Sequence, residues 1–154
     1  MTIDFEDATN ACSVAENTVV HWAQTTLISE SNRDTMLAIR VVDAAEGQQL
    51  NDTFRGKNYA TNVLSFPADI QLPEGPVILG DIAICLPVVI QEASDQGKSF
   101  EQHLAHMVIH GCLHLLGFDH ENDEDALEME MKEIGILQNL GYPNPYVSQE
   151  LKST

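Results

Sequence analysis

Five of the six histidines crowd between His103 and His120, and their spacing constrains the fold more than any other feature of the chain. His103, His106, His110 and His114 recur every three or four residues. At ~100° per residue, a helix gathers them within roughly 80° of one face. Ser99, with Gln102 three residues on, has the pattern of a capping box, and Gly117 stands where a C-cap glycine belongs. The sequence therefore predicts a helix over residues 100–116, stopped by a residue free to take positive φ. His120 follows three residues later, placed to fold back beside His110 and His114.

Three imidazole nitrogens with a fourth position left open form the donor set of a catalytic zinc site rather than a closed structural one. The spacing H-x-x-x-H-x-x-G-x-x-H is shared with metzincin metalloproteases. Those enzymes place a glutamate after the first histidine as general base, whereas this chain has Gly111. Metal binding is therefore expected, and peptidase chemistry is not. His21 reads as filler, while His103 fits either ordinary packing or support of a metal ligand from behind.

The remaining elements are read from periodicity and punctuation. Helices are expected over residues 13–28, 44–54 (stopped by Gly56), 86–94 and 124–140. The last should turn Leu127, Met131 and Ile134 toward the core; Met129 and Met131 invite comparison with the metzincin Met-turn, but helical spacing favours core packing for Met131. Strands are expected over residues 35–42, 62–66 and 78–85, the second an edge strand closed by Pro67. Few strands and several helices out of strict alternation suggest an α+β fold, a small sheet with helices packed on it, as a single domain over residues 1–154.

No apolar run reaches the ~18 residues of a membrane span. The first residues lack the basic and apolar regions of a signal peptide. Cys12, Cys85 and Cys112 are odd in number and widely spaced, unlike a disulfide framework, and Cys85 and Cys112 sit in apolar stretches. The expected location is the cytoplasm. With 7 Lys+Arg against 24 Asp+Glu, the net charge of −17 excludes a binder that coats nucleic acid with a basic face.

Residues 110–120, His-Gly-Cys-Leu-His-Leu-Leu-Gly-Phe-Asp-His, resemble the H-G-x-L-H-L-x-G-x-D-H signature of the YbeY family of bacterial rRNA-maturation endoribonucleases. The resemblance extends to Phe54-Arg55-Gly56-Lys57, to residues 61–67 (TNVLSFP), to Leu79-Gly80-Asp81-Ile82 and to Leu140-Gly141-Tyr142. It covers most of residues 35–142. It implies a mixed sheet with helices on one side and a single-strand-specific, metal-dependent endoribonuclease. Such an enzyme matures the 3′ end of small-subunit (16S) rRNA and serves ribosome quality control. It further implies one zinc ion on His110, His114 and His120, with nickel as another divalent candidate. Arg55 would be the cleft arginine acting in cleavage alongside His110. The implied partners are ribosomal RNA, the small ribosomal subunit and an Era-type GTPase; membranes and DNA are not among them.

Other residues have ordinary readings beside functional ones. Arg55 and Lys57 suit a helix C-terminus as well as a phosphate, and the resemblance favours function for Arg55. Asp81 interrupts an apolar strand and is expected to be buried with a partner, structural in preference to orienting a histidine. Asp119 is expected to fix the turn before His120, and Ser65 to be a strand serine beside the cleft. The acid run from Asp119 to Glu133 holds eight carboxylates and one lysine and reads as a solvated exterior that also repels RNA. A basic small-subunit ribosomal protein is therefore an expected docking partner. The rival readings are a metal-dependent hydrolase of another substrate and a zinc-stabilised assembly factor without catalysis.

Overall fold

The computed structural model describes residues 1–147, so residues 148–154 of the expected domain lie outside the described residues. The chain runs β1 (Thr2–Asp7), α1 (Glu16–Glu30), β2 (Thr35–Val42), α2 (Ala44–Arg55), β3 (Val63–Gln71) and β4 (Val77–Cys85). It continues through α3 (Leu86–Asp95), α4 (Phe100–Leu115) and α5 (Asp123–Asn139). The four strands form one mixed sheet in the order β1-β2-β4-β3. β1 and β4 pair parallel with β2, and β3 pairs antiparallel with β4. This is the expected α+β architecture, except that α2 packs on the sheet face opposite α4, so helices lie on both sides rather than one.

Successive strand residues point to opposite sheet faces, and β4 shows what each face meets. Ile82 and Ile84 face the helical layer, and a Cβ at Gly111 of α4 would sit 3.0 Å from Ile82. Asp81, Ala83 and Cys85 point the other way, where Gly47 of α2 lies against Cys85. The core fills the first interface, with Trp22 and Leu27 of α1, Ile39 of β2, Ile82 and Ile84 of β4, and Leu104, Ile109 and Leu113 of α4. Each such side chain contributes roughly 1.5–3 kcal/mol by leaving water. α4 is enclosed by the sheet, α1, α3 and α5, so it is apolar on nearly every side except where the histidines emerge.

Several expectations need correction. β1 is missing from the sequence reading, although Ile3 and Phe5 alternate with Asp4 and Glu6 as a half-buried edge strand should. β3 does not stop at Pro67 but runs on to Gln71, with its register shifted between Pro67 and Ile70. An edge strand accommodates proline because one side of its ladder is unpaired. α1 starts three residues later than expected and ends two later, which is ordinary fraying at helix ends.

α5 turns a different face inward. Met129, Glu133, Ile136 and Leu137 are buried, Leu127 and Met131 are exposed, and Ile134 is intermediate. The orientation follows from Glu133, whose carboxylate is tied to histidines of α4 and brings its own helix face inward. Asp81 is exposed on the sheet face away from α4, so it is neither buried nor within reach of the histidines. Cys85 and Cys112 are buried free thiols, as expected, and burial pushes Cys112 up to about 12, which makes it inert. No helix among the described residues is long and apolar enough to cross a membrane.

Candidate functional site

The site is built from the end of α4. Ser99 Oγ accepts from the Gln102 N–H at 3.1 Å and starts the helix. At the other end Gly117 takes φ +105, which an L side chain rarely adopts. Its N–H donates to His114 O and the Phe118 N–H to Leu113 O, both at 3.0 Å, closing a Schellman turn. The reversed chain then delivers His120, with the Asp119 carboxylate accepting from the His120 N–H at 2.7 Å. The expected role of Asp119 in the turn is thus observed.

His110, His114 and His120 each place a ligand nitrogen within 4.8 Å of the other two. Ring centroids lie 4.6 Å apart for His110–His114, 5.0 Å for His114–His120 and 5.8 Å for His110–His120. Tetrahedral zinc brings its nitrogens to roughly 3.4 Å, given bonds of about 2.05 Å, so modest side-chain rotation closes the set. The donor chemistry fits a divalent ion. Burial, reinforced by His110 and His120, pulls His114 down to about 4, so its imidazole is neutral and its lone pair free at neutral pH.

Behind the triad lies a carboxylate that the sequence reading assigned to solvent. Glu133 is fully buried. It accepts from His110 Nδ1 at 2.6 Å and from His106 Nε2 at 3.1 Å, and the Tyr146 hydroxyl donates to the same carboxylate. Burial alone would raise its pKa, but the bonds from His106 and His110 outweigh that and hold it at about 2. A carboxylate on Nδ1 fixes the tautomer of His110 and leaves Nε2 for the ion. Lys98 Nζ donates to Pro145 O at 2.7 Å and anchors the segment that carries Tyr146.

Glu133 and Tyr146 were not found from the sequence. The available signal was the spacing Met129-Glu133-Leu137, which puts the glutamate in an apolar stripe one turn from each neighbour. His103 is buried, pairs with Glu92 at 2.9 Å and stands outside the triad.

Glu133→Gln keeps the shape of this group and removes its charge. It is expected to weaken metal affinity ~10–100-fold in chelator competition, while the metal-free protein stays folded. Unchanged affinity would make the hydrogen bond irrelevant to the ion.

The triad opens into a cleft of about 890 Å³ shared with Phe54 and Arg55 of α2, residues 61–67 and the turn at residues 117–119. Arg55 is exposed at the C-terminus of α2, whose cap Gly56 takes φ +68, and it forms no ion pair among the described residues. Lys57 is exposed and does not line the cleft. Ser65 lines it, and its hydroxyl donates to Gly111 O at 3.3 Å, tying β3 to α4. Gly111 faces Ile82 rather than the cleft, so a side chain at the position that carries a general base in metzincins would press on Ile82, at 3.0 Å from its Cβ, and start away from the three histidines.

A family model described as Endoribonuclease YbeY matches residues 3–141. An Endoribonuclease YbeY of Pseudomonas putida is 50% identical over 155 residues, covering 99% of this chain and 98% of that protein. One from Pseudomonas syringae pv. tomato is 56% identical over 126 residues, covering 80% and 75%. Among solved structures, the solution structure of TM1509 from Thermotoga maritima aligns with a TM-score of 0.65 at 29% identity, covering 90% of this chain and 88% of that one. Near-complete coverage at half identity, on a chain whose signature histidines converge in one cleft, means that this protein belongs to the YbeY endoribonuclease family.

Proposed function

We propose that this chain is a metal-dependent endoribonuclease of single-stranded RNA. It works in the cytoplasm on the 3′ end of 16S rRNA and in ribosome quality control, with residues 1–154 as one catalytic domain. The observation that carries this reading is the meeting of three imidazole nitrogens and an exposed guanidinium in one open cleft. The names of its relatives supply the substrate class. Peptidase chemistry is disfavoured by the enclosed Gly111, and a purely structural zinc site by the open side of the triad.

His110, His114 and His120 are the metal ligands. Zinc is the ion this donor set suits, with nickel the other divalent metal that imidazole favours. Such an ion, when bound, supplies Lewis-acid chemistry that stabilises charge on a phosphoryl oxygen and makes water a stronger acid. Glu133 holds His110 through Nδ1 so that its other nitrogen serves the site. Arg55 presents a planar fork that can take two non-bridging phosphate oxygens and stabilise the charge that builds on phosphorus in the transition state. Arg55 and His110 are the residues we assign to the catalytic step.

The partners follow from charge. A net of −17 opposes encounter with naked RNA, and Arg55 is the cation that lines the cleft among the described residues. A basic protein of the small ribosomal subunit would recruit the acidic body and raise the local concentration of the rRNA 3′ region. An Era-type GTPase is a further partner on that particle, supported by the family resemblance. Cleavage of the 3′ region is expected to be much faster on assembled small subunits than on deproteinised RNA at matched concentration. Tight, steeply salt-dependent binding to naked RNA would overturn recruitment through protein.

A further inference from the structure

Resting on the RNA-cleaving reading above, we infer that Phe54 is a stacking platform for an unpaired nucleobase beside the phosphate that Arg55 holds. Phe54 sits in the last turn of α2, immediately before Arg55, and is 63% exposed. Phe66 of β3 braces it edge-on, with ring centroids 5.0 Å apart and planes at 63°. Of the large hydrophobic side chains exposed among the described residues, Phe54 is the one that lines the three-histidine cleft.

The charge of the protein makes such a contact necessary. Most proteins that hold RNA gain affinity by releasing counterions from phosphates, a gain that scales with the number of phosphates neutralised. This chain carries 7 Lys+Arg, and only Arg55 of them lines the cleft among the described residues. A base stacked on an aromatic ring adds affinity that does not depend on charge or on sequence. A duplex keeps its bases within its own stack, whereas a single strand can turn one out onto a side chain. The same ring therefore supplies affinity that the acidic surface denies and selects unpaired strands. Thr61 lines the cleft with it, as does Ser65, whose hydroxyl donates to Gly111 O and keeps its lone pairs for a ribose.

The test uses the full-length, metal-loaded protein and a single-stranded 2′-O-methyl phosphorothioate RNA that resists cleavage, with binding followed by fluorescence anisotropy across a salt series. Phe54→Leu keeps an apolar side chain without a π-face. It is expected to bind ~10-fold more weakly with an unchanged salt slope, metal content and melting temperature. Phe54→Trp is expected to restore binding, and RNA should quench the introduced indole by stacking on it, over a constant background from Trp22, which at 2% exposure is out of reach of RNA. Replacing the bases with abasic sites should weaken the wild type as much as Phe54→Leu does and cost that variant nothing further. Wild-type affinity in Phe54→Leu, or equal losses on abasic RNA for both proteins, overturns the platform while leaving the nuclease reading intact. A wild-type protein that neither binds nor cleaves RNA brings down that reading and the platform with it.

Discussion

His114→Ala protein is expected to emerge from purification without its metal and without RNA cleavage, yet folded. His120→Ala should behave alike, whereas His110→Ala should lose metal and cleavage too but melt lower, because it takes a hydrogen-bond partner from the buried Glu133 carboxylate. Two imidazoles rarely hold zinc against exchange, and no other His, Cys, Asp or Glu among the described residues joins this set. The fold survives because α4 is fixed by Leu104, Ile109 and Leu113, whose burial does not involve the triad. His114 is neutral well below pH 7, so its removal leaves no unpaired buried charge to destabilise the core. Elemental analysis of the three variants beside the wild type checks this, with circular dichroism and melting temperature as controls. Wild-type metal content in all three would show that the ion is held elsewhere.

Arg55→Ala should act on chemistry and not on metal. The guanidinium lines the cleft from α2 while the ligands come from α4 and the turn after it, so its loss leaves the ligand set untouched. Cleavage is expected to fall ~10²-fold or more, the scale seen when one donor to a transition-state oxyanion is removed. Arg55→Lys should recover only part of this, since an ammonium carries the charge without the two-pronged fork. The cost to stability should be small, because an exposed cation in the last turn of a helix contributes about 0.3–1 kcal/mol. Rates under single-turnover conditions, with metal content measured on the same samples, separate the outcomes. Parallel loss of metal and activity would make Arg55 structural, and unchanged activity would remove it from the mechanism.

Local patterns told most of this in advance, and long-range partnerships did not. The capping residue Ser99, the histidine spacing and Gly117 defined α4 and its reversal, because caps and φ preferences act within a few residues. β2 was legible for the same reason, as a run of β-branched and apolar residues with the same bounds, Thr35–Val42. Glu133 was not legible. Its burial depends on His110 and His106, which lie 23 and 27 residues away in sequence, and a glutamate in an acid run otherwise belongs in water. The misread face of α5 follows from that one residue. Asp81 erred in the opposite direction: an acid inside an apolar strand looks buried until the two sheet faces are known to differ. β1 was overlooked because a short acidic segment pairs only through a parallel neighbour more than thirty residues on.

On the function proposed above, an ion held by His110, His114 and His120 is what lets this chain cut RNA. A defined precursor spanning the 3′ region of 16S rRNA is incubated with protein stripped of metal and reloaded stepwise with zinc, beside His114→Ala treated identically. Cleavage is expected to rise in proportion to bound metal, to level off when each chain holds a single ion, and to stay absent in His114→Ala at every concentration. Full-rate cleavage by the stripped protein, or by His114→Ala, would contradict that role of the ion.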